Sequence, residues 1–172
     1  MATATFPRLL PKLIVFDLDE TLWPFWVDTH FDPPFQKTSD GKVVDSNNDV
    51  MRIHKDVPAI LKQIQDREIQ IAAASRTDYP TGAKTLLKLY DIDQYFNYKE
   101  IYPGCKRKHF EKFHKASGVA YEDMLFFDDE ARNIRDISKI GVTSIYVDYT
   151  VGLTVKVLEE GLQKHSEKKS KR

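Results

Sequence analysis

Leu13-Ile14-Val15-Phe16-Asp17-Leu18-Asp19-Glu20-Thr21 reads as an apolar strand that delivers two carboxylates, with one residue between them, into the turn at its carboxyl end. In an open α/β sheet ligands bind in the crevice outside the carboxyl ends of the strands, so an acid pair at that spot is where chemistry is expected. Asp17 and Asp19 repel each other. A hard cation such as Mg²⁺, which takes oxygen ligands and keeps waters or phosphate oxygens around it, resolves the repulsion. The chemistry this placement suits is phosphoryl transfer.

Outward from that stretch, short apolar, β-branched runs alternate with segments of helical period, the pattern of a parallel sheet with crossover helices. After a first strand at 12–16, further strands are expected at 69–74, 98–102, 124–127 and 143–147. Asp56 reads as the N-cap of a helix with Pro58 in its first turn, and Val57, Ile60, Leu61 and Ile64 recur at helical spacing behind it. A second helix is expected around 82–90. Phe110 and Phe113 line a third that Gly118 terminates, Ile134 and Ile137 belong to a fourth, and the last runs over 151–162. Residues 23–54 lack helical period. There 42–44 and 50–53 flank Asp45-Ser46-Asn47-Asn48-Asp49 as a hairpin-like pair, which reads as a β flap.

The expected architecture is therefore α/β: a three-layer, Rossmann-like parallel sheet with a small flap and no large cap domain. With 172 residues and 41% hydrophobic content, residues 1–162 are expected to form one domain. The tail, 163–172, holds Lys164, Lys168, Lys169, Lys171 and Arg172 against Glu167 alone and is expected to be disordered. Nucleic-acid or anionic-membrane contact is the minority reading of such a tail. The one cysteine, Cys105, fits a reducing compartment, with the cytoplasm as the default. Pro7 and Arg8 interrupt what a signal peptide would need, and no run approaches the roughly 18 apolar residues of a membrane span.

In chain order the strand ends present Asp17 and Asp19, then Ser75 and Arg76, then Lys106 just past the third strand, then Asp128 and Asp129. In-line attack on phosphorus needs a nucleophile, a proton donor for the leaving oxygen and positive charge around three equatorial oxygens. Carboxylates can serve as the nucleophile. Lys106 is preferred to Lys108 because it opens its helix directly after Pro103-Gly104. Thr21 can hydrogen-bond the Asp19 carboxyl or the turn backbone. Among the flap aromatics, Trp23 is expected simply to cover the sheet end, whereas Trp26 is a candidate to stack on a sugar or phenyl ring. The histidines lack zinc spacing, and Glu111 stands where a cysteine phosphatase would need arginine.

With these pieces in this order the chain resembles phosphatases of the haloacid dehalogenase superfamily, through FDLDETLWPFWVDTH (16–30), AAASRT (72–77), EIYPGCK (100–106) and FFDDEARNI (126–134). The resemblance implies Asp17 as nucleophile and Asp19 as general acid, then base. It implies a Mg²⁺ ion held by Asp17, the Asp19 carbonyl and Asp129, with Asp128 behind them holding Lys106 or a metal-bound water. Ser75 and the amides of Leu18 and Asp19 would donate to the phosphoryl group, Lys106 would neutralise it, and Arg76 and Trp26 would grip the rest of the substrate. It further implies fructosamine-6-phosphates on proteins, or phosphotyrosine-like aryl phosphates, as substrates.

Two other readings share parts of the pattern. Protein serine phosphatases of the small carboxyl-terminal-domain type share Asp-Leu-Asp-Glu-Thr-Leu but generally carry Asp-Asn where this chain has Asp128-Asp129. A non-catalytic phospho-receiver combines acids, hydroxyl, lysine and Mg²⁺, yet places its acceptor on the third strand, which here ends in Pro103-Gly104 without an acid.

Overall fold

In the computed structural model, which describes residues 2–172, the strands are β1 (Leu13–Phe16), β2 (Gln36–Lys37), β3 (Val43–Val44), β4 (Gln70–Ser75), β5 (Tyr98–Ile101), β6 (Met124–Asp128) and β7 (Thr143–Tyr146). The helices are α1 (Val57–Asp66), α2 (Pro80–Leu89), α3 (Lys106–Ser117), α4 (Ala131–Ser138) and α5 (Val155–Ser170). Five strands form one parallel sheet in the order β5-β4-β1-β6-β7. β1 lies at its centre because Leu13-Ile14-Val15-Phe16 is apolar on both faces, as a strand covered by helices on each side must be.

Strand alternation sorts the core into two layers. Ile14, Phe16, Ile71, Ala73, Leu125 and Phe127 pack with α1, α2 and α5 on one face; Leu13, Val15, Ala72, Ala74, Met124 and Phe126 pack with Phe110 and Phe113 of α3 and Ile137 of α4 on the other. The three-layer α/β fold is as expected, and among the described residues no large cap accompanies it. Gly118 ends α3 in the left-handed region, φ 71°, donating its N–H to His114 O at 2.9 Å. At Gly161 a Cβ would lie 2.5 Å from the Phe127 ring, so only glycine lets α5 approach β6 this closely.

Three local expectations are corrected. The antiparallel pair of the flap joins β2 to β3, while 50–53 contributes only a bridge, Val44 to Val50. The reason is the buried Asp45 carboxylate, which accepts from the N–H groups of Asp32, Asn47 and Asp49 and so curls the chain around itself. Asp56 stands before α1 but makes no cap bond to it. Its carboxylate accepts instead from Val155 N, 3.1 Å away, at the start of α5, where Thr154 also caps Val157.

The third correction concerns the tail, which is helical: α5 continues to Ser170. Its lysines sit where a helix C-terminus favours cations, and they find partners. Lys169 reaches Asp123 at 2.5 Å and Lys168 reaches Gly141 O at 3.2 Å. No helix among the described residues is long and apolar enough to cross a membrane.

His165, on the inner face of α5, is wholly buried and neither ring nitrogen has a hydrogen-bond partner in the protein. Burial, with Lys169 nearby, pushes its pKa down from 6.5 to about 4. The unfolded chain then binds the proton more readily than the folded one, so the stability tied to neutral His165 is complete above pH 6.5 and drains away as pH falls towards 4. Melting temperatures recorded across that window should fall more steeply for the wild type than for His165→Leu. Parallel curves would rule out His165 as the cause.

Candidate active site

The carboxyl end of β1 places Asp17 next to the end of β6, and Asp17 N donates to Phe127 O at 3.0 Å, continuing the ladder one residue beyond the strand. At the first turn of α3 the Lys106 side chain turns inward, 1% exposed, and Lys108 lies on the surface. The ammonium of Lys106 donates to Asp17 Oδ1 at 2.7 Å and to Asp128 Oδ2 at 2.6 Å. Burial alone would lower its pKa, but the two carboxylates outweigh that and hold it above the ordinary lysine value.

Asp128 has both oxygens engaged. Oδ2 accepts from Lys106 and from Asn133 Nδ2, at 3.0 Å, and Oδ1 accepts from Glu130 N at 2.8 Å. Asp129 instead faces Asp17. Thr21 Oγ1 stands between them, 3.2 Å from Asp17 Oδ2 and 3.4 Å from Asp129 Oδ1. The hydroxyl therefore serves Asp17 rather than Asp19, a correction to its expected partner: backbone turning at Leu18, which accepts from Thr21 N, folds residue 21 back over residue 17.

Asp17, Asp128 and Asp129 each bring one carboxylate oxygen within 4.8 Å of the others. Burial first, and then the charge on Asp17, push the carboxyls of Asp129 and Asp128 up, Lys106 partly restraining Asp128. Three acids this close with a single ammonium among them suit a hard divalent cation, and an all-oxygen donor set fits Mg²⁺.

Asp19 is held differently. Its Oδ1 accepts from Trp23 Nε1 at 2.7 Å and Val27 N at 3.2 Å. Burial pushes its pKa up to about 7, against the indole N–H, and the Asp17 charge adds to the rise. With Oδ1 occupied by two donors, Oδ2 is the oxygen left to carry a proton. Trp23 does cover the sheet end as expected, and the sequence held no sign that its indole would also orient an acid.

Asp17 and Asp19 share one cleft of about 160 Å³ with Trp26, Ser75, Arg76, Lys106 and Asp129. The Ser75 oxygen accepts from Thr77 N at 3.2 Å, which leaves its own proton free to donate into the cleft. Leu18 and Asp19 supply the turn backbone directly beyond β1. Trp26, 51% exposed, stands at the rim beside His30, their rings 5.8 Å apart. Sequence reasoning did not single out Thr77, Asp28, Glu130 or Asn133, which also line the cleft. Asn133 sits within FFDDEARNI, but an asparagine among the charges of a helix carries no pattern of its own.

A parallel sheet of this order, with acids at the ends of β1 and β6 and a buried lysine between them, fits a phosphatase of the haloacid dehalogenase superfamily, and the relatives of the chain bear that class out. The chain belongs to the acid phosphatase family, whose model matches residues 9–168. It is 51% identical to magnesium-dependent phosphatase 1 of Homo sapiens over 154 residues, 90% of this chain and 86% of that one. It is 38% identical over 144 residues to the HAD-like hydrolase superfamily protein P8B7.31 of Schizosaccharomyces pombe, covering 77% and 83%. A crystal structure of a HAD-superfamily hydrolase from Ehrlichia chaffeensis superposes with a TM-score of 0.66 at 10% identity over 93% of this chain and 100% of that one, a likeness of fold.

Proposed function

We propose that this chain is a Mg²⁺-dependent phosphomonoesterase that works through an aspartyl phosphate on Asp17 and acts on fructosamine-6-phosphates borne on proteins and on aryl phosphates of the phosphotyrosine kind. The observation that supports it best is the division of labour between two acids two residues apart. Asp17 is kept close to a buried ammonium, and Asp19 is kept near neutrality on an oxygen that faces no other donor.

An Asp17 carboxylate oxygen attacks phosphorus, the bond to the leaving oxygen breaks, and Asp19 gives that oxygen its proton. Asp19, now a carboxylate, takes a proton from water as the water oxygen attacks the acyl phosphate. Inorganic phosphate leaves, Asp17 is free and Asp19 is protonated again. Lys106 and the Ser75 hydroxyl hold the phosphoryl oxygens, together with the turn amides of Leu18 and Asp19, while Arg76 grips from the mouth. Thr21 keeps the Asp17 carboxylate in one orientation.

Mg²⁺, when bound, supplies positive charge against the phosphoryl oxygens. Asp17 and Asp129, with the Asp19 carbonyl, would hold it, and Asp128, its oxygens already engaged, would act from behind through Lys106. The homologous human protein is itself named for magnesium dependence.

The cleft, of about 160 Å³, is lined by Trp26 and Asp28 of the flap segment as well as by the strand-end residues, and exposed Trp26 stands at its rim. The leaving group must then project past Trp26 into solvent, which favours phosphates carried on large molecules. Turnover in Mg²⁺ of protein-bound fructosamine 6-phosphate, phosphotyrosine peptide and phosphoserine heptad peptide should rank the first two well above the third. Exclusive activity on phosphoserine would move the chain to the carboxyl-terminal-domain type instead.

A further inference from the structure

We propose that Asn133 is a positioning residue that sets both cations of the cleft, Arg76 at the mouth and Lys106 at the floor, through one side-chain amide. This rests on the phosphatase reading of the site. Asn133 is 3% exposed and both ends of its amide are used across the cleft wall. Its Oδ1 accepts from an Arg76 terminal nitrogen at 3.3 Å, and its Nδ2 donates to Asp128 Oδ2 at 3.0 Å. That same Asp128 oxygen accepts from Lys106, which holds Asp17 Oδ1.

Only an amide can make both bonds. Aspartate at 133 would set a second charge against Asp128, and an apolar residue would strip partners from both neighbours. The same Arg76 nitrogen has a competing acceptor, because exposed Glu130, also at the cleft wall, stands 3.8 Å from it. Asn133 draws the guanidinium inward against that pull. Arg76 itself lines the cleft, and its buried Nε has no partner among the described residues. The two cations then approach a phosphoryl group from two sides at a spacing that Asn133 determines.

The test uses inorganic phosphate as probe, in Mg²⁺, read as a competitive inhibition constant and by calorimetry. Asn133→Ala and Arg76→Ala should each weaken phosphate about tenfold, the order of a lost charge-assisted hydrogen bond. Because Asn133 reaches phosphate through Arg76 and, by way of Asp128, through Lys106, the double variant should bind phosphate somewhat worse than Arg76→Ala alone but well short of the product of the two single losses. Adding Glu130→Gln to Asn133→Ala should recover part of the affinity.

Should Asn133→Ala fail to fold, Asn133→Ser is read in its place, since its hydroxyl can serve Asp128 but not Arg76 as well. A lowered Tm with phosphate affinity at the wild-type level, or effects of the two alanine variants that multiply, would overturn the proposal. Turnover retained in Asp17→Asn would instead count against the catalytic reading and leave the calorimetric test of Asn133 intact.

Discussion

Asp17→Asn is expected to lower kcat on any phosphomonoester by at least about a thousandfold, the scale on which removing a covalent nucleophile acts. The substitution keeps shape and much of the bonding. An asparagine Oδ1 can still accept from Lys106, where the carboxylate accepts at 2.7 Å, and Thr21 can turn its proton to Asp129 and accept from the amide N–H. The fold should therefore survive, with circular dichroism and melting close to wild type.

What disappears is a nucleophilic oxygen and one of three charges facing one another across 4.8 Å or less. Mg²⁺ should consequently stabilise the variant less. A bound ion at a hundredfold excess over its Kd raises stability by about 2.7 kcal/mol, and that increment should shrink in Asp17→Asn. Wild-type turnover by the purified variant would refute the acyl-phosphate route.

Lys106→Met should combine the largest loss of stability with a loss of activity of about a hundredfold or more. Methionine fills the volume but leaves the buried Asp128 carboxylate, 0% exposed, with only Asn133 and a backbone N–H against it. Breaking a buried ion pair from one side costs about 3–5 kcal/mol. At 2–4 °C for each kcal/mol in a chain of this size, Tm should fall by roughly 10 °C.

The deficit should depend on pH in a definite sense. Without the ammonium, burial and the Asp17 charge raise the folded-state pKa of Asp128 further above its unfolded value, so the folded variant takes up protons that the unfolded chain does not. With the wild-type Asp128 carboxyl already pushed up to about 7, the penalty is largest in alkaline solution, shrinks as pH falls from about 9 towards 7 and levels off below that. A Tm gap that stayed constant over that range would place the loss in packing rather than charge.

The parallel sheet was legible because burial on both faces leaves its mark on every residue of β1 and β6. The site was legible because its acids, hydroxyl and lysine follow strand ends in a fixed order. Trp23 and Asn133 were not, since a side chain that orients another leaves no periodic or compositional trace. Thr21 was read towards the wrong acid: sequence distance puts it nearer Asp19, but the turn at Leu18 brings it over Asp17. The tail misled for a related reason. Its lysines read as solvated charge until α5 packs against the sheet and supplies Asp123 and Gly141 O as partners. Likewise the flap register was decided by Asp45, whose carboxylate outcompetes strand pairing for three backbone donors.

Neighbouring strands at the middle of the sheet deliver Asp17 and Asp128, and Phe16 pairs with Phe127 one step before them. The reactive groups are thus anchored on central strands, whose opening requires nearly global unfolding, and heat should inactivate the protein only as the whole chain comes apart. The rim, with Trp26 in solvent, can vary without disturbing that anchorage. A new leaving group could be accommodated there while the phosphorus chemistry beneath stays the same.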